Sequence, residues 1–130
     1  MTVDSSALIA ILFSEPGFLP LVDFILEADT VRAGAPTVTE TSVVAVGRRG
    51  KPAIRDVEAL VRELDIIVVP FGQAEWHAAV TAFQRFGRGR HKASLNFGDC
   101  LAYATASVAG DSLLFVGDDF AYTDIVSARR

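Results

Sequence analysis

Acidic residues recur in this chain where one run of secondary structure hands over to the next: Asp4, Glu40, Asp99 and the adjacent pair Asp118 and Asp119. Each follows an apolar strand-like run or falls in the first turn of a helix-like one. A single sheet can therefore gather them at one edge, where carboxylates repel one another unless a cation sits among them. Hard oxygen donors with no companion Cys or His pairs suit Mg²⁺ or Mn²⁺ rather than zinc. Taken singly, every acid also has an ordinary structural role. Asp4 fits an N-cap, Thr37-Val38-Thr39-Glu40 fits a capping box, Asp99 gains from a helix dipole, and Gly117-Asp118-Asp119 fits a turn. Their conjunction is what points to metal chemistry.

Positive charge is bunched in two places: Arg48, Arg49 and Lys51, and then Arg85, Arg88, Arg90, His91 and Lys92. The first bunch reads as a solvated loop. The second runs directly into the segment bearing Asp99, so it can offset the acids and grip phosphates beside them. The net charge of −4 by itself argues against nucleic-acid binding. Placement of charge matters more than its sum.

The elements that must hold these residues follow from periodicity. Residues 1–4 form a short strand ending on Asp4, and residues 5–13 an apolar helix stopped before Pro16. Residues 17–28 form a second helix with Leu21, Phe24, Ile25 and Ala28 on one face. A strand over 31–35 leads to a helix over 38–48, which Gly50-Lys51-Pro52 breaks, and an amphipathic helix over 53–64 follows. Ile66-Ile67-Val68-Val69 suits a strand buried on both faces. Helices over 73–86 and 97–109 flank a loop over 87–95, and Leu113-Leu114-Phe115-Val116 is a second buried strand. Strands alternating with helices predict an α/β fold, a short, mostly parallel sheet with helices on both faces. Ligands bind such sheets beyond the carboxyl ends of the strands, the edge where all the acids fall.

A length of 130 residues suits one domain over 1–130 with a single core. With 51% hydrophobic and 22% charged residues, disorder is excluded. No apolar stretch approaches the roughly 20 residues of a membrane span, and the start lacks the pattern of a signal peptide, so we expect a soluble, cytoplasmic protein. The lone cysteine, Cys100, reads as a small core residue. Several other chemistries fail on the residues. Ser6 stands where a haloacid-dehalogenase-type phosphatase needs a second Asp, and the paired acids of a receiver domain are missing from the end of the first strand. Gly87-Arg88-Gly89-Arg90 follows a helix and lacks a third glycine, so it is no dinucleotide fingerprint, and no Walker A sequence is present. Two histidines, His77 and His91, and no Gly-x-Ser-x-Gly make a hydrolase triad a poor fit.

Taken together, Asp4-Ser5-Ser6-Ala7-Leu8, Glu40, Gly87-Arg88-Gly89-Arg90-His91, Leu95-Asn96-Phe97-Gly98-Asp99-Cys100 and Leu114-Phe115-Val116-Gly117-Asp118-Asp119-Phe120 with Thr123-Asp124-Ile125 resemble the PIN-domain ribonucleases. They are most similar to the VapC-type toxins of bacterial toxin–antitoxin pairs. The likeness runs from residue 2 to about 126, and the Leu-Asn-Phe-Gly-Asp and Gly-Asp-Asp-Phe segments are its most specific parts. The resemblance implies a PIN-like three-layer sandwich and a Mg²⁺-dependent endoribonuclease, with Mn²⁺ as the other candidate metal. Such an enzyme cuts structured RNA such as tRNA or rRNA with metal-activated water and is held inactive by a cognate VapB-like antitoxin.

By position, Asp4, Glu40 and Asp99 take the three best-defined acidic places, Asp4 and Asp99 as ligands of the primary metal. The fourth place falls to Asp118 or Asp119, and the resemblance leaves that choice open. Ser6 matches a hydroxyl position beside the metal site, and Asn96 is its companion. Arg88, Arg90, His91 and Lys92 are then the RNA-binding loop. A homodimer is implied as well, for which the apolar helices over 7–13 and 19–26 supply surface. The competing reading is a non-catalytic PIN-like binding or scaffold module whose carboxylates only cap helices.

Overall fold

The computed structural model describes residues 1–129. Four parallel strands, β1 (Thr2–Val3), β2 (Val31–Gly34), β3 (Ile66–Val69) and β4 (Leu113–Leu114), form one sheet in the order β3-β2-β1-β4. Six helices connect them: α1 (Ser5–Leu12), α2 (Phe18–Glu27), α3 (Ala35–Arg49), α4 (Ala53–Glu63), α5 (Gln73–Phe86) and α6 (Phe97–Ala109). Successive strand residues point to opposite faces, and β4 shows the consequence. Leu113 packs with Ala82, Phe86 and Tyr103 of α5 and α6, whereas Leu114 packs with Leu8, Leu21 and Ile25 of α1 and α2. The sheet is thus sandwiched between helices. A smaller cluster of Ala45, Ala53 and Val57 ties α3 to α4.

Helices α5 and α6 span the predicted residues, and Cys100 is buried in the core as expected. Three elements differ from the expectation. Helix α3 begins at Ala35, with Gly34 as an extended N-cap and Pro36 inside the first turn, where a missing N–H costs nothing. Glu40 consequently lies in the second turn and not the first. Strand β3 is not buried on both faces. It is the outermost strand, paired only with β2, and while Ile66 points inward, Ile67 and Val68 are 51% and 44% exposed. Strand β4 pairs only over its first two residues, after which Phe115 turns to pack on Phe120 at 5.0 Å between ring centroids.

Two contacts escape any local reading. Arg48 and Arg49 are not a solvated loop: they form the last turn of α3, each guanidinium over the Phe13 ring at 4.6 and 4.4 Å. At the edge of the sheet opposite the acids, Asp111 accepts hydrogen bonds from Thr2 Oγ1 at 2.9 Å and from Arg32 at 3.0 Å, tying β1, β2 and the approach to β4 together. Gly34 sits where β2 meets α6 so closely that a Cβ there would lie 2.7 Å from Thr105 Oγ1. No helix among the described residues is long and apolar enough to cross a membrane.

Candidate active site

Because every strand runs the same way, the carboxyl ends of β1, β2 and β4 open on one edge, and the acids come to it by different routes. Asp4 leaves β1 and caps α1. Its Oδ2 accepts the backbone N–H of Ser6 at 3.0 Å and the Ser6 hydroxyl at 2.6 Å. Ser6 Oγ in turn accepts the N–H of Val116 at 3.0 Å, so one hydroxyl couples the end of β4 to Asp4. Asp99 stands in a capping box at the start of α6, with Asn96 Oδ1 accepting the Asp99 N–H at 2.8 Å and Asp99 Oδ2 accepting the Asn96 N–H at 3.0 Å. Both acids therefore do cap helices. In each, these hydrogen bonds fall on Oδ2, leaving Oδ1 for another donor or a cation.

Glu40 behaves differently. The capping box with Thr37 does not form, since Thr37 lies inside α3 and its carbonyl accepts the Thr41 hydroxyl. Glu40 Oε1 instead accepts the hydroxyl of Ser5 at 2.5 Å, across 35 residues of sequence. Its carboxylate lies directly on Gly98, so close that a Cβ at that position would collide with it. Ser5 went unremarked in the sequence because nothing local says which way its hydroxyl points. The one available signal was a second hydroxyl beside Ser6.

Electrostatics confirm that the acids are neighbours. Burial pushes the Asp4 carboxyl up from its ordinary value, hydrogen bonds from Ser6 pull it down, and the charge of Glu40 raises it further. Asp99 is pushed up to about 6, chiefly by burial. The Asn96 backbone opposes the rise, while the charges of Asp119, Asp4 and Glu40 add to it. Asp119 is thus the member of the exposed pair whose charge is felt at Asp99. Asp118 instead carries the turn, its carbonyl accepting the Ala121 N–H at 3.0 Å.

Among the described residues no three His, Cys, Asp or Glu side chains close on one point as a ready-made metal cage. The donor set nevertheless fits a hard divalent cation. Mg²⁺ is commonly held by one or two carboxylates with water completing its shell, and Asp4 and Asp99 are buried acids whose hydrogen bonds above engage Oδ2 alone.

The basic loop closes on itself through Arg88 N–H to Leu95 carbonyl at 3.0 Å and Leu95 N–H to Phe86 carbonyl at 2.9 Å, then feeds directly into Asn96. Arg88, Arg90 and Lys92 are exposed. Arg90 lies over the Phe83 ring at 5.5 Å and Lys92 over Tyr122 at 4.7 Å. His91 faces inward: its Nδ1 accepts the Ala93 N–H at 3.1 Å and its ring meets Phe86 edge-on at 5.2 Å. These contacts staple the loop. Arg85 is drawn away from the site into an ion pair with Asp124 at 3.2 Å, and Asp124 also accepts the Tyr103 hydroxyl.

The model of the PIN domain matches residues 1–126. The chain belongs to the PIN-domain family, among the VapC ribonucleases. Ribonuclease VapC of Mycolicibacterium smegmatis is 38% identical over 99% of this chain and 100% of its own length. Ribonuclease VapC36 of Mycobacterium tuberculosis is 44% identical over 96% of this chain and 91% of its own. The crystal structure of Mycobacterium tuberculosis VapC20, a toxin that cleaves the sarcin-ricin loop, superposes with a TM-score of 0.79 at 17% identity and covers 99% of this chain and 98% of that one. The fold is therefore the PIN-type α/β sandwich, and the acids of this VapC-type chain stand at its carboxyl edge.

Proposed function

We propose that this VapC-type ribonuclease is a metal-dependent endonuclease that cuts structured RNA, tRNA or rRNA, and that Asp4, Glu40, Asp99 and Asp119 are its acidic site. The observation that carries the reading is geometric: the Glu40 carboxylate is hydrogen-bonded to Ser5, next to Asp4, and lies against Gly98, next to Asp99, so acids of three segments meet at one edge. Asp4 and Asp99 would hold Mg²⁺, or Mn²⁺. A cation bound there supplies Lewis-acid stabilisation of the charge that builds on the phosphoryl oxygens and activates water for attack. Ser6 fixes Asp4, Asn96 fixes Asp99, and Ser5 fixes Glu40, so each carboxylate is presented in one orientation. Glu40 and Asp119 orient water around the cation. Arg88, Arg90 and Lys92 contact RNA phosphates, while His91 shapes their loop. No side-chain nucleophile is required.

A cognate VapB-like antitoxin restrains the enzyme, and two copies form a homodimer. Exposed Leu19 and Leu26 on α2, 63% and 67% exposed, supply apolar surface for such partners. The absence of a three-ligand cage is the observation that favours the scaffold reading instead. Thermal melting decides between the two, because a ligand that binds only the folded state raises its melting temperature. Millimolar Mn²⁺ is expected to raise it by several degrees at pH 7.5, and no shift would leave the scaffold. The rise should shrink as pH falls through about 6, because Asp99 then carries a proton that the cation must displace. A shift that stays the same at pH 5 would remove Asp99 from the metal site.

A further expectation concerns Gly98→Ala. The new Cβ displaces Glu40, the end of a flexible side chain, so the fold adapts cheaply while the carboxylate leaves Ser5. Replacing a helical glycine by alanine also favours the helix by roughly 0.5–1 kcal/mol. RNA cleavage is expected to fall about tenfold or more, equivalent to roughly 1.4 kcal/mol of transition-state stabilisation, with melting temperature unchanged or slightly raised. Unchanged cleavage would show that the position of Glu40 is immaterial.

A further inference from the structure

Phe97 is the first residue of α6, two residues before Asp99, and it is 79% exposed, more than any other large hydrophobic side chain among the described residues. It stands as a ridge between two open cavities and lines both. One, about 450 Å³, is walled by Trp76, Val80, Phe83 and Leu101. The other, about 270 Å³, runs from Phe97 past Gly98 and Leu101 to Pro36, Thr39 and Glu40. The aromatic face thus borders the acids on one side. On the other it adjoins Phe83, over whose ring Arg90 of the basic loop lies. The larger cavity has no acid in its lining and takes no part in the metal chemistry just described, while the smaller one reaches it only at Glu40.

We propose that Phe97 is a stacking platform for one unpaired nucleobase of the RNA, held beside the bond to be cut. The proposal rests on the ribonuclease reading and names what selects its substrate. Three features favour RNA as the occupant over a protein segment. The apolar ridge is continuous with the acidic edge through Gly98 and Glu40. An exposed cation, Arg90, lies over Phe83 on its far side, where a phosphate backbone would need one. The platform is an aromatic ring that accepts any base by its π-face, the way proteins take up splayed, unpaired RNA bases. A base stacked on Phe97 positions its own sugar and phosphate two residues from Asp99. Only RNA with an unpaired nucleotide can reach that geometry, so the ridge would favour loops and bulges over regular duplex.

The test uses the full chain freed of any partner, with Phe97→Ala and Phe97→Trp beside the parent. Cleavage of a tRNA pool in Mg²⁺ gives kcat and KM. A short single-stranded oligoribonucleotide carrying a fluorescent adenine analogue reports stacking through quenching, and sedimentation reports the mass of the particle. Phe97→Ala is expected to raise KM about tenfold or more with kcat little changed. It should also lose the quenching, and Phe97→Trp should restore both. Because the side chain is exposed, folding is retained, which melting verifies. Unchanged KM and undiminished quenching in Phe97→Ala, with the parent cutting RNA normally, would overturn the platform and leave the ribonuclease standing. A parent that quenches the probe through Phe97 but cuts no RNA would support the platform and overturn the ribonuclease. A fall in particle mass on Phe97→Ala would assign the ridge to contact between two copies and overturn the proposal.

Discussion

Asp99→Asn is expected to lower RNA cleavage by about 10²–10³-fold or more, because a carboxylate that would hold the cation is lost, and with it the cation's stabilisation of the charge building on the phosphoryl oxygens. The substitution isolates charge from structure. An asparagine keeps a side-chain oxygen to accept the Asn96 N–H, so the capping box at the start of α6 survives. Asp99→Ala would also remove a cap contact worth roughly 0.5–2 kcal/mol. The effect on metal-free stability should run the other way from the effect on activity. An unfolded Asp99 ionises near 3.8, whereas the folded one does so near 6. Protonation thus supports the fold below 3.8, and that contribution is lost as pH rises through about 6. At pH 7.5 the parent carries the penalty in full and the asparagine variant does not. Its metal-free melting temperature should equal or exceed the parent's, and its Mn²⁺-induced rise should be largely gone. Measured cleavage within a few-fold of the parent would sink the metal-nuclease reading. A large fall in metal-free melting temperature would show that the substitution had damaged the fold instead.

Leu95→Ala should produce the largest loss of stability, about 2–5 kcal/mol. Leu95 is fully buried in the cluster with Phe86, Ala93 and Tyr103, and its backbone closes the basic loop through Phe86 and Arg88. The next residue, Asn96, begins the capping box that orients Asp99. Truncation opens a cavity at the joint between the basic loop and α6. A fall in melting temperature of about 10 °C follows if each kcal/mol is worth roughly 2–8 °C. Below the melting transition, RNA binding should weaken as the loop loosens, in contrast to Asp99→Asn, which leaves the loop intact. A shift of only a degree or two would mean that the joint collapses onto the space and that Leu95 is not what holds loop and helix in register.

The basic loop illustrates how far charge alone can be read. Arg88, Arg90, His91 and Lys92 form one cluster in the sequence, yet His91 turns inward to cap Ala93 and pack on Phe86, and Arg85 is spent on Asp124. Exposure divides the group, and exposure depends on which residues α5 and α6 present to the loop. Similarly, Ile66-Ile67-Val68-Val69 looks like a central strand because all four residues are apolar. Only the order of the sheet places it at the edge, where half of those side chains remain open.

Local patterns determined the alternation of strands and helices, the bounds of α5 and α6, and the delivery of Asp4 and Asp99 to one edge. These follow from periodicity and from caps that act over three or four residues, which a linear string records in full. Tertiary structure alone decided the rest. It paired Ser5 with Glu40 and seated that carboxylate against Gly98. It also left Phe97 standing free beside them. Each of these depends on the direction of side chains from elements that meet only when α1, α3 and α6 pack around the sheet, and no local pattern encodes that direction.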